Sequence, residues 1–98
     1  MSQSEQYDKY FLTYSGIALP LQLVNPLART ETENRNTFFG VQLDENGRFK
    51  LVHKLVYGEV EFEHRYGYHS NGALSWAEIS DEDDEVQRLE FNESGQRV

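Results

Sequence analysis

The chain of 98 residues predicts a mainly β fold: one small domain built as an antiparallel meander of six or seven strands, with at most one short helical turn. Three observations carry this. In residues 59–68, Val60, Phe62, His64, Tyr66 and Tyr68 alternate with Glu59, Glu61, Glu63 and Arg65, the period of a strand with one buried face. Short polar segments ending in glycine interrupt the apolar runs at Asn46-Gly47, Asn71-Gly72 and Ser94-Gly95, where a tight hairpin needs positive φ. The apolar runs are also rich in aromatic and β-branched residues, which suit pleated surfaces.

Taken in order, residues 1–6 are polar and predict a disordered terminus, leaving residues 7–98 as a single β domain. Tyr10-Phe11-Leu12-Thr13-Tyr14 predicts a strand, Ser15-Gly16 a break, and residues 17–24 a returning strand. Pro20 has no N–H for a ladder, which places that second strand at an edge or bends it. Asn25-Pro26 has the form of a helix start or a turn, with asparagine as the cap and proline at the first helical position, and Leu27-Ala28-Arg29 as the rest of one turn. Residues 30–36 are polar and aperiodic, a surface loop with room for part of that turn. Thr37 to Leu43 and Arg48 to Tyr57 then predict a hairpin about Asp44-Glu45-Asn46-Gly47. Residues 59–79 predict another about Ser70-Asn71-Gly72, and the acidic run Asp81-Glu82-Asp83-Asp84-Glu85 a connection at the opposite end.

An apolar residue enters each glycine-ending turn at a fixed interval: Leu43-Asp44-Glu45-Asn46-Gly47, Tyr68-His69-Ser70-Asn71-Gly72 and Phe91-Asn92-Glu93-Ser94-Gly95. The glycines lie 25 and 23 residues apart, room for two strands and two turns. The segments from His64 to Leu74 and from Gln87 to Val98 resemble tandem YD (RHS-type) repeats and the related MORN-type hairpin repeats. The Asp of the YD pattern is His69 in one unit and Asn92 in another, so the resemblance implies hairpin geometry and no catalytic residue. The whole chain also resembles a family of small uncharacterised bacterial proteins without an assigned function, through Thr13-Tyr14-Ser15-Gly16, Leu23-Val24-Asn25-Pro26, Glu33-Asn34-Arg35-Asn36-Thr37, Tyr57-Gly58-Glu59-Val60-Glu61 and the run from His64 to Leu74.

Composition narrows function more than any motif does. The net charge is −8, and Glu78, Asp81, Glu82, Asp83, Asp84, Glu85, Glu90 and Glu93 against Arg88 supply −7 of it. Such a surface repels phosphate backbones and anionic headgroups, which argues against nucleic-acid and membrane partners and for a basic protein steered to one end. With no cysteine, thiol chemistry and cysteine-ligated zinc are excluded. The polar start and the absence of a long apolar run make a cytoplasmic protein the expectation. No phosphate-binding glycine loop or nucleophile elbow is present, and no cofactor is implied.

The histidines are the acid/base candidates at neutral pH. His64 and His69 are an odd number of residues apart and point to opposite faces unless a bulge near Gly67 resets the register. His53 is placed to meet His64 across the hairpin turning at Gly58, and with Glu61 or Glu63 the pair has the makings of a metal site. It lacks the three or four convergent ligands zinc requires, so packing on aromatics is the favoured role and no metal is assigned. Residues 81–85 lack the alternating acids, central glycine and distal glutamate of an EF-hand and predict a solvated tip. Glu59, Glu61 and Glu63 line a solvent face and predict cross-strand ion pairs with Lys50 or Lys54 rather than an acid/base pair. Tyr14, Tyr57, Tyr66, Tyr68 and Trp76 offer an aromatic surface for a sugar or peptide, although Tyr66 and Tyr68 share the Phe62 face and are expected in the core.

Two functions follow. The first is a non-catalytic binding module, of inhibitor, immunity-like or accessory type, engaging a basic partner through Glu78, Asp81, Glu82, Asp83, Asp84 and Glu85. The second is a ligand-binding protein or enzyme using the concave sheet face, with His53, His64, Tyr66, Tyr68 and Trp76. A single sheet also leaves one face exposed unless it curls into a half-barrel or packs on a copy of itself, so a homodimer is a further expectation.

Overall fold

The computed structural model describes residues 7–15, 19, 22–80 and 85–98. Seven strands form one antiparallel sheet that is not closed into a barrel. They are β1 (Lys9–Ser15), β2 (Gln22–Leu27), β3 (Thr37–Leu43), β4 (Phe49–Val56), β5 (Glu59–Tyr68), β6 (Leu74–Ser80) and β7 (Val86–Glu90), with one short helix α1 (Arg29–Thr32) between β2 and β3. Their order is β2-β1-β3-β4-β5-β6-β7. The meander runs unbroken from β3 to β7, and the β1–β2 hairpin joins it through β1, leaving β2 outermost. Pro20 and residues 1–6 lie outside the described residues, but the edge position expected for the second strand is the one β2 takes.

The helix starts later than Asn25-Pro26 predicts. Both residues belong to β2, where Pro26 faces Phe11 in the ladder and Asn25 adopts φ 60°. An edge strand tolerates a proline because one side of it makes no ladder. The turn forms three residues on, where the Ala28 N–H donates to Glu31 Oε1 at 2.9 Å and Thr32 Oγ1 donates back to the Arg29 carbonyl at 2.6 Å. Glu31 therefore caps the turn that asparagine was expected to cap.

Three of the four strand pairs of the meander contain a register shift, at Gln42/Leu43, Lys54/Leu55 and Gly67/Tyr68, and the β6–β7 pair keeps one register throughout. Such bulges bend and twist a sheet. Their effect shows in the core: Val41, Val52 and Ala77, in the middle of the sheet, are fully buried although no second layer lies over them among the described residues. The cover comes from the same face. Phe39 and Tyr66 join them in one cluster, with Phe11, Leu19, Leu23, Phe49, Phe62 and Tyr68 packed around it. Side chains of one sheet close over its centre only when the sheet curls toward them. The opposite face carries a smaller cluster of Tyr7, Tyr10 and Leu55, flanked by Leu27 and Phe38.

The three glycine-ending turns share one geometry. The glycine N–H donates to the carbonyl three residues earlier (Gly47 to Asp44, Gly72 to His69, Gly95 to Asn92), and the first turn residue donates its own N–H to the carbonyl four residues on. Gly47, Gly72 and Gly95 have φ of 79°, 91° and 85°. The Asp44 and Asn92 side chains each accept two backbone N–H groups of their own turn. His69, at the equivalent place, instead reaches the next unit through Nε2 to the Phe91 carbonyl at 2.8 Å, and Asn71 Nδ2 donates to the Glu93 carbonyl at 3.1 Å. The likeness to hairpin repeats rests on this turn geometry alone.

Candidate functional site

The pairing of β4 with β5 decides what the histidines can do together. His53 stands opposite Glu63, and His64 stands opposite Val52. Neighbouring residues of a strand point to opposite faces, so the two rings lie on opposite sides of the sheet. The expected meeting of His53 with His64 does not occur, because the ladder is offset by one residue from the register that pairing required, with a bulge at Lys54/Leu55. Tyr66 and Tyr68 stay with His64 on the main core face, whereas Trp76 faces Gly67 across the ladder on the other side. Among the described residues no three His, Cys, Asp or Glu side chains converge as a metal would need.

His64 is buried, shares a 2.7 Å hydrogen bond with the Tyr66 hydroxyl and packs against the Phe62 ring. Burial pushes its pKa down to about 4, so it is neutral at physiological pH. A neutral, enclosed imidazole in an aromatic cluster is a packing element. Tyr68 is likewise occupied: its hydroxyl donates to the Phe49 carbonyl at 2.6 Å, and burial pushes its pKa up to about 12.

His53 sits in a different arrangement, one that includes a residue outside the candidate site residues named above. Tyr7 Oη is 2.6 Å from His53 Nδ1, His53 Nε2 is 2.8 Å from Glu63 Oε2, and Arg65 Nε donates to Glu63 Oε1 at 2.6 Å. The carboxylate only accepts, so Nε2 carries the proton and, in the neutral ring, Nδ1 accepts from Tyr7. Burial works to raise the Glu63 carboxyl, yet the hydrogen bonds from His53 and Arg65 outweigh it and hold the group below its ordinary value. Glu63 is thus drawn into a network, which modifies the solvent-face role expected of it. Lys54 pairs with Glu61 at 2.8 Å as a cross-strand ion pair.

Hydroxyl, imidazole and carboxylate in series have the connectivity of a nucleophilic triad, but the hydroxyl is tuned the wrong way. Burial, with Tyr10 and Glu63 nearby, pushes Tyr7 up to about 12, whereas an activated nucleophile has its proton made easier to remove. The network acts as a latch that fastens the chain ahead of β1 onto β4 and β5. Gly40 makes room for it, since a Cβ there would stand 2.7 Å from the Tyr7 ring. An open cleft of about 580 Å³ borders the latch, lined by Tyr7, Asp8, Lys9, Tyr10, Pro26, Leu27 and Arg29.

Toward β7 the same face carries a second set of charges. Arg88 donates to Glu78 at 2.7 Å and to Glu90 at 3.2 Å, with its guanidinium 4.9 Å from the Trp76 ring centroid. Of the carboxylates expected to meet a partner, Glu78 is therefore already compensated. Glu85 is exposed, and no ion pair reaches it among the described residues. Asp81, Glu82, Asp83 and Asp84 lie outside the described residues.

Residues 3–98 match the model of a family of unknown function, DUF6156, and the chain belongs to that family. No curated protein matches the chain, and no solved structure does. No helix among the described residues is long and apolar enough to cross a membrane.

Proposed function

We propose, for this member of a family of unknown function, a non-catalytic module that binds a basic protein through the acidic connection between β6 and β7. The observation that carries the reading is how charge is distributed over β5 to β7. Glu61 pairs with Lys54, Glu63 with Arg65, and Glu78 and Glu90 share Arg88, whereas residues 81–85, the segment joining Ser80 to Val86, put five carboxylates in a row in the sequence. Like charges gathered on one segment raise the on-rate of an oppositely charged partner and respond strongly to salt.

Other parts of the surface favour the same reading. The main core face is filled by its own aromatic and aliphatic side chains, the raised pKa of Tyr7 leaves the latch without an activated nucleophile, and His64 is enclosed. Each sheet edge carries one feature that hinders strand addition. Asn25 and Pro26 interrupt β2, and at the end of β7 the outward Glu90 carbonyl is taken by the Val98 N–H at 3.0 Å. A cytoplasmic setting fits such a module.

The test is affinity capture from the native host with the full chain as bait, at about 0.05 M and about 0.5 M salt. A basic protein retained at low salt and released at high salt is expected. A partner held equally at both, and held equally by bait with Asp81, Glu82, Asp83, Asp84 and Glu85 changed to lysine, contradicts the reading.

A further inference from the structure

On β5 and β7 the cations Arg65 and Arg88 are taken up by Glu63, Glu78 and Glu90. The cleft beside the latch is charged differently. Lys9 and Arg29 line it with one carboxylate, Asp8, so its lining carries a net positive charge in a chain whose own net charge is −8. Asp8 is engaged with the backbone of β3, its Oδ2 accepting the Leu43 N–H at 2.8 Å. Lys9 is exposed and makes no ion pair among the described residues. Arg29, also exposed, carries five N–H donors, enough to serve a ligand as well as a neighbour in the chain.

The rest of the lining is apolar and in part fixed. Tyr7 is held by its hydrogen bond to His53 and by the close approach of its ring to Gly40, so this wall stands before any ligand arrives. A wall that need not be ordered on binding favours affinity. Tyr10 meets the Tyr7 ring edge to face, with centroids 6.0 Å apart and planes at 70°. At the end of β2, Pro26 is exposed and Leu27 half-buried, which leaves apolar surface for a ligand to cover. The volume of about 580 Å³ falls in the roughly 300–1,000 Å³ range of small-molecule sites, which combine apolar walls with a few placed charges.

We infer that this cleft binds a small aromatic monocarboxylate, with its carboxylate on Lys9 and Arg29 and its ring against Tyr10, Pro26 and Leu27. The planar guanidinium matches a carboxylate in shape, and aromatic rings add edge to face or offset to those already present. One net positive charge in the lining balances a monoanion. A phosphate monoester brings close to two negative charges, which the surrounding acidic chain repels. The site shares no residue with the acidic connection and goes beyond the proposed partner binding, so each stands or falls alone.

The test is a titration of the full chain, nitrogen-labelled for amide resonances, with benzoate, benzamide, acetate and phenyl phosphate. Benzoate should give saturable shifts centred on Asp8, Lys9, Leu27 and Arg29. Benzamide, which lacks the charge, and acetate, which lacks the ring, should each bind about tenfold more weakly or less. Lys9→Gln with Arg29→Gln should weaken benzoate about tenfold, with its spectrum away from the cleft matching the native one, and Lys50→Gln, outside the cleft, should leave the affinity unchanged. The inference is overturned by the absence of saturable shifts at about 10 mM benzoate, or by shifts centred elsewhere. Benzamide or acetate binding as well as benzoate, phenyl phosphate binding more tightly, or a double variant of native affinity would overturn it equally.

Discussion

Tyr7 and His53, 46 residues apart in sequence, are joined by a 2.6 Å hydrogen bond, and the same imidazole carries the connection on to Glu63. Tyr7 precedes the first strand, so this contact fastens the start of the domain to its middle. Tyr7→Phe keeps the ring over Gly40 and removes only the donor to Nδ1. Thermal or urea unfolding should show a loss of about 1 kcal/mol. Glu63→Gln should cost more, about 1–3 kcal/mol, because it weakens the bonds to both His53 and Arg65. The two losses should not add, since one ring links them. Additive effects would show that the latch does not act as a unit.

His64 gives stability a pH dependence of known sign. Its pKa is about 4 in the folded protein against 6.5 ordinarily, so between these values the unfolded chain holds the extra proton. The contribution is complete above pH 6.5 and is lost as pH falls toward 4, amounting to at most about 3 kcal/mol. Glu63, with its depressed carboxyl, adds a loss of the same sign in the acid range. Urea midpoints measured across this window should fall steeply for the native chain and less steeply for His64→Gln, which stays neutral. Parallel curves would contradict the assignment.

Trp76 lies so close over Gly67 that a Cβ at position 67 would overlap its indole ring. Gly67→Ala should therefore displace Trp76 and loosen its contact with Arg88, at a cost of about 1–3 kcal/mol. The single tryptophan reports this directly: its fluorescence maximum should move to the red in the variant while the far-ultraviolet spectrum stays that of a β protein. An unmoved maximum would count against the packing described.

What the sequence made legible was what depends on near neighbours. The alternation from Phe62 to Tyr66 and the glycines at 47, 72 and 95 carry local rules of pleat and positive φ, and β3 and the glycine-ending turns fall where those rules place them. The helix was misplaced because Asn25-Pro26 satisfies two local roles, helix start and interrupted edge strand, and only the pairing with Phe11 selects the second. The histidine pairing failed for a related reason. A bulge adds one residue to one strand, which periodicity alone does not reveal, and a shift of one residue moves a side chain to the opposite face. Tyr7 was missed as a site residue because its partners at 40, 53 and 63 are distant in sequence and none forms a motif with it. The one available signal was a tyrosine at the boundary of a polar terminus.

The central claim is that charge on the β6–β7 connection binds a basic partner, and the salt dependence of affinity measures that charge directly. With the purified partner, the dissociation constant is followed across ionic strength for the native chain and for a variant with Asn or Gln in place of Asp81, Glu82, Asp83, Asp84 and Glu85. The account predicts a steep loss of affinity with salt for the native chain and a much flatter dependence for the variant. The two should converge at high salt, where screening over a few ångströms removes the difference. Equal slopes for the two proteins would contradict it.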